Sequence, residues 1–184
     1  NIGINPTRTG IIDILQAMGG DLKITNQREV SGEPVGDILV KSSKLRGIEI
    51  KGDTIPRAID ELPVVAVAAA YAEGTTEIRD AKELRVKESD RIGTMATHLK
   101  ELGIQVTEFD DGMDIVGGRP KPPPQGAIFN SHGDHRVAMS MLVAGLAPDK
   151  EMQVFDTECI DTSFPGFVKT LSELGCRIAA SEKE

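Results

Sequence analysis

A chain of 184 residues with 39% hydrophobic and 27% charged residues is long enough to bury a core and has the balance of an ordinary globular protein. Its net charge of −8 and 3% aromatic content exclude a general nucleic-acid binder, which needs basic surface and π-faces for the bases. No apolar run approaches the roughly 20 residues of a membrane-spanning helix, and no signal-peptide pattern opens the chain. Cys159 and Cys176, two thiols without metal-type spacing, fit the reduced cysteines of a cytoplasmic protein.

In chain order, NIGINPTRTG (1–10) reads as the end of a strand running into a helix over 7–18. A start at Asn1 in mid-pattern implies an upstream portion. Strands are expected near 21–26, 36–41 and 47–51, where DILVKSS alternates apolar and polar residues. The apolar run behind Pro63 predicts a buried helix over 62–73, with Asp60 and Glu61 at its entrance. For Asp60 by itself, helix capping is the ordinary role. A strand near 75–79 follows. Ile92, Met95, Leu99 and Leu102, spaced by three, four and three, predict a helix over 89–102. Its Met95, with Met139 and Met141 further on, is read as core, and His98 as a surface or partly buried residue.

Strands near 104–108 and 112–116 precede GGRPKPPPQG (117–126), too rich in Pro and Gly for either regular element and therefore a loop. Beyond it come a strand near 126–129, a helix over 135–146 capped by Asp134, and a strand near 151–156. A helix over 164–174 and a strand near 176–180 complete the list. LQAMGGDL (15–22), LKELGIQV (99–106) and LSELGCRI (171–178) repeat one pattern, the last turn of a helix, a Gly and a strand. Three such units point to a duplicated α/β architecture.

The charges concentrate at helix entrances. ELRVKESDRI (83–92) puts Lys87, Glu88 and Arg91 just before a helix or in its first turn, and His135 and Arg136 occupy the first turn of another. Basic residues there oppose the helix dipole, so they are better explained by a bound anion or by neighbouring carboxylates such as Glu88 and Asp90. His132, Asp134 and His135 lack further matched metal ligands, and capping with active-site packing is the preferred reading.

RVKESDR and GDHRVAMS, together with DELPVVAVAAAYAEG, TSFPGF and NPTRTG, resemble the 5-enolpyruvylshikimate-3-phosphate synthase family over about residues 1–180, most closely its class II branch. The resemblance implies an α/β fold, an inside-out barrel of helices and sheets built from βαβαββ repeats. Residues 1–184 would be most of the domain holding the C-terminus, with the partner domain upstream and absent. It implies transfer of the enolpyruvyl group of phosphoenolpyruvate to the 5-hydroxyl of shikimate 3-phosphate. No metal or organic cofactor, nucleic acid or membrane would take part.

By the same resemblance, Asp60 accepts the hydroxyl proton and Glu88 serves proton transfer at the methylene carbon. Lys87 contacts shikimate 3-phosphate, Arg91 and Arg136 grip phosphoenolpyruvate, and His135 lies beside them. Many members carry a lysine just before the TFP or SFP segment. Here Thr162 precedes SFP, which leaves open the group that protonates the departing phosphate. The related UDP-N-acetylglucosamine enolpyruvyl transferases and a non-catalytic anion-binding module are the alternatives.

Overall fold

The computed structural model describes residues 1–123, 125–147 and 150–180. Its middle portion is a complete βαβαββ unit. Strand β4 (Glu49–Ile50) leads through two helices, α2 (Thr54–Ala58) and α3 (Leu62–Tyr71), to β5 (Thr75–Ile78). A 3-10 turn (Lys82–Val86) and helix α4 (Arg91–Glu101) then lead to the hairpin β6 (Gln105–Phe109) and β7 (Gly112–Val116). The sheet order is β4-β5-β7-β6, with β4 and β5 parallel and the other pairs antiparallel.

The flanking portions repeat parts of this unit. β1 (Ile2–Gly3), α1 (Gly10–Ala17), β2 (Asp21–Val30) and β3 (Glu33–Lys41) give an antiparallel sheet of order β1-β3-β2, the pattern of β5-β7-β6. β8 (Ala127–Asn130), α5 (His135–Ala144) and β9 (Met152–Phe155) give a parallel pair, the pattern of β4-β5. A second 3-10 turn (Glu158–Thr162) and α6 (Phe167–Glu173) follow. Two of the helix–Gly–strand motifs read from sequence fall at equivalent places, α1 into β2 and α4 into β6, and the third closes α6 without a strand behind it. The α/β fold built from βαβαββ repeats is therefore the observed one.

α3 is apolar all round, and Leu62, Val65, Ala66, Val67, Ala69 and Ala70 are buried. Its small residues let it pack closely against α5, which buries Val137, Ala138, Met141 and Ala144. Tyr71 donates to the Ala144 carbonyl at 3.0 Å, tying the two C-terminal ends together. The helices thus lie inside and the sheets outside. α4 is amphipathic and turns Ile92, Met95 and Leu99 inward, each contributing about 1.5–3 kcal/mol by burial.

Several expectations need correction. The helix expected from residue 7 starts at Gly10, because residues 5–8 form a turn in which the Asn5 side chain accepts from the Thr7 amide at 3.1 Å. The hairpin β2–β3 runs on to Val30 and Glu33, turning at Ser31 and Gly32, both with positive φ. No strand forms over 176–180. In the complete unit β6 is held by β7, which also pairs with β5; among the described residues no segment takes that place beside β9.

His98 is buried, 5% exposed, with Nε2 2.9 Å from the Asn130 carbonyl and its ring edge-on to Phe129. Met95 and Met141 are core, whereas Met139 lines a cleft. The expected 117–126 loop is irregular over its described residues, and Pro124 lies outside them. Both cysteines are free. Among the described residues, no helix is long and apolar enough to cross a membrane.

Candidate active site

The parallel packing of α3 and α5 brings their N-terminal ends to one end of the molecule, and the N-terminus of α4 arrives beside them. The link is Asp134. Its carboxylate caps α5, accepting from the Arg136 amide at 2.9 Å and the Val137 amide at 3.4 Å. The same carboxylate accepts from Arg91 Nε at 2.9 Å, Arg91 Nη2 at 3.4 Å and Ser89 Oγ at 2.9 Å. One buried aspartate therefore fixes the start of α5 and the start of α4 at once.

Arg91, the first residue of α4, is 1% exposed. Besides Asp134 it donates to Glu88 Oε2 at 2.6 Å and to Asp60 Oδ1 at 3.4 Å. Asp60, in the turn between α2 and α3, also faces Arg136 Nη2 at 3.7 Å and Arg8 Nη2 at 3.6 Å. Glu61 accepts from Arg136 Nη1 at 3.3 Å and lies 3.8 Å from Arg8 Nη2. Three guanidiniums and four carboxylates thus form one connected network with a formal charge of −1, from Arg8, Arg91 and Arg136 against Asp60, Glu61, Glu88 and Asp134.

Asp60 does not cap a helix. The residue in the N-cap position of α3 is Glu61, and no side chain bonds the α3 amides there. α4, by contrast, is capped by Asp90, whose side chain accepts from Gly93 N at 3.0 Å. The charged run 83–92 accordingly divides by task. Arg85 bonds Asp90 and Glu108, pinning the 3-10 turn to the β6–β7 hairpin. Lys87 pairs with Glu83 one turn away, so it is not drawn into the network. Ser89 and Arg91 face inward, and Glu88, half exposed, reaches Arg91 from the surface.

His135 opens α5 beside Arg136. A cleft of about 170 Å³ adjoins the network, with Asp60, Glu61 and Arg136 at its polar side and Val64, Met139 and Phe167 at its apolar side. Thr162, at the end of the second 3-10 turn, donates to the Cys159 carbonyl at 2.7 Å. Sequence reasoning found Asp60, Glu88, Arg91 and Arg136 but missed Ser89 and Arg8 as members of the network. Ser89 was hidden among charges, and Arg8 sits in a loop without periodicity.

Burial alone would raise the Asp134 carboxyl, but the bonds and charge of Arg91, with help from Ser89 and the Arg136 amide, outweigh it and hold the group below the usual carboxylate range. A depressed folded-state value contributes stability that is present above the unfolded value, about 3.9, and is lost as pH falls through the folded one. Acid denaturation should therefore steepen below about pH 4, and Asp134→Asn should remove that component. Denaturant midpoints measured from pH 6 downward check this; an unchanged acid limb in the variant would count against the Asp134–Arg91 coupling.

A single polar network thus spans three helix entrances, on interior helices with exterior sheets. The sequence profile of EPSP synthase (3-phosphoshikimate 1-carboxyvinyltransferase) matches residues 1–171. The 3-phosphoshikimate 1-carboxyvinyltransferases of Geobacter metallireducens and Geobacter sulfurreducens are 60% and 61% identical, each over 96% of this chain and 40% of the relative. A solved EPSP synthase from Acinetobacter baumannii superposes with a TM-score of 0.88 at 43% identity, covering 98% of this chain and 41% of that one. The enolpyruvyl transferase NikO from Streptomyces tendae, at 23% identity and a TM-score of 0.70, shares the fold. The chain belongs to the EPSP synthase family, a family of transferases. It spans about 40% of the length of the curated relatives it matches.

Proposed function

We propose that this chain forms one wall of a site that transfers the enolpyruvyl group of phosphoenolpyruvate to the 5-hydroxyl of shikimate 3-phosphate, releasing phosphate. Residues 1–184 are most of one domain, and an upstream domain of the same protein supplies the opposite wall. The observation that carries the reading is the convergence of Asp60, Glu88, Arg91 and Arg136 in one network at the open end of the helices.

In the forward addition, the 5-hydroxyl oxygen bonds to C2 of phosphoenolpyruvate while Asp60 takes the hydroxyl proton and Glu88 delivers a proton to the methylene carbon. In the elimination, the C2–O bond to phosphate breaks and the departing phosphate takes up the proton that came from the 5-hydroxyl, while the new methyl group returns a proton to a carboxylate and the enolpyruvyl ether forms. Arg136 and Arg91 offer forked donors to carboxylate and phosphate. Both are paired with protein carboxylates before substrate arrives, so binding displaces Asp60 and Glu61 from Arg136 and Asp60 and Glu88 from Arg91, which keeps its bond to Asp134. Lys87 serves shikimate 3-phosphate once it leaves Glu83, and His135 borders the phosphoenolpyruvate position. The reaction uses only side chains and takes place in the cytoplasm.

The test is phosphate release by the full-length protein with phosphoenolpyruvate and either shikimate 3-phosphate or UDP-N-acetylglucosamine as acceptor. Turnover with shikimate 3-phosphate alone is expected. Turnover with the nucleotide sugar alone would replace the assignment, and binding of both substrates without any turnover would reduce the chain to an anion-binding module.

A further inference from the structure

Resting on the reading above, we infer that Arg8 is a further anion-binding residue of this site, one that takes a phosphate or carboxylate group of an incoming substrate. The loop that carries it is built for position. The Asn5 side chain accepts from the amide and hydroxyl of Thr7, at 3.1 and 2.8 Å, and the Asn5 carbonyl accepts from the Arg8 amide at 2.8 Å. Arg57 holds the loop from α2, donating to the Pro6 carbonyl at 2.8 Å and to Thr9 Oγ1 at 3.1 Å. A Cβ at Gly10 would stand 2.8 Å from the Arg57 carbonyl, so glycine lets α1 approach α2 there.

Every residue of NPTRTG but one thus shapes or anchors the loop. The exception is the Arg8 side chain, which reaches across to Asp60 and Glu61 at 3.6 and 3.8 Å, beyond hydrogen-bond distance. It is the most exposed guanidinium of the network, at 60%, against 27% for Arg136 and 1% for Arg91. Arg91 is anchored to the buried Asp134, whereas Arg8 exchanges two loose, solvated pairs for a substrate anion at little cost. It also places positive charge at the mouth of a site on a chain of net charge −8.

The experiment is steady-state kinetics of the full-length protein, with the KM of each substrate measured separately in wild type, Arg8→Gln and Arg8→Lys. Arg8→Gln should raise the KM of at least one substrate about tenfold, with kcat changed by less than about threefold. It should also flatten the fall of kcat/KM with salt, and Arg8→Lys should restore part of both losses. Wild-type KM values for both substrates in Arg8→Gln, or a fall in kcat or melting temperature with KM unchanged, would overturn the inference and leave Arg8 as a neutraliser of Asp60 and Glu61. A wild-type protein that releases no phosphate would overturn the functional reading itself, and this inference with it.

Discussion

Arg91→Ala is expected to cost about 3–5 kcal/mol of folding stability, so its loss of substrate binding will not be readable as a simple contact energy. The sequence suggests an arginine offered to ligand at a helix entrance. In the fold it is also a buried strut, whose guanidinium neutralises Asp134, itself wholly buried, while reaching Glu88 and Asp60. Truncation strands the Asp134 carboxylate inside the protein, and that penalty exceeds anything the ion pair adds to stability while intact. Urea denaturation of the full-length protein is the measurement. Pairing Arg91→Ala with Asp134→Asn should recover much of the loss, because the stranded charge is then gone. A loss below about 1 kcal/mol in the single variant would mean that the network does not hold α4 to α5. Arg136, partly exposed and in longer pairs, is the better position for probing phosphoenolpyruvate: its alanine variant should fold normally and bind that substrate about 10- to 100-fold more weakly.

Asp60→Asn should lower turnover by roughly 10²- to 10⁴-fold while leaving the melting temperature nearly intact. The structural basis for expecting a clean result is that Asp60 caps nothing and meets its three guanidiniums at 3.4–3.7 Å on a partly exposed surface. Asn keeps the shape and one acceptor oxygen and removes the base, and exposed pairs of this kind contribute only about 0–1 kcal/mol each. Phosphate release under saturating substrates, set beside thermal unfolding of the same preparation, separates the two roles. Turnover within about threefold of wild type would end the assignment of Asp60 as the proton acceptor.

What the sequence revealed follows from where periodicity is strong. α3, α4 and α5 each carry enough turns for an apolar pattern to emerge, and the aspartate before α5 caps it as expected. α2 and the two 3-10 turns span five residues each, too short for a period to register, and they were missed. The 176–180 segment illustrates the opposite failure. Its local pattern matches β6, but a strand needs a neighbour, and no described segment lies alongside it.

The site was half legible for a similar reason. Charges at helix entrances could be seen one helix at a time, since each opposes or complements a dipole nearby. Their meeting depends on the parallel packing of α3 and α5 and on Asp134 reaching 43 positions back to Arg91, which no spacing rule encodes. His98 looked like a polar residue at the margin of the α4 stripe. Its burial comes from β8, whose Asn130 carbonyl and Phe129 ring receive it.

Phosphate release measured side by side for the isolated 184-residue chain and for the full-length protein, each with phosphoenolpyruvate and shikimate 3-phosphate, tests the central claim most directly. On the proposed reading a second domain closes over two anionic substrates and excludes water, while the network here already balances its own cations with carboxylates. Release by the full-length protein and none by the isolated chain is the predicted outcome; turnover by the isolated chain, or none by the full-length protein, would contradict the account.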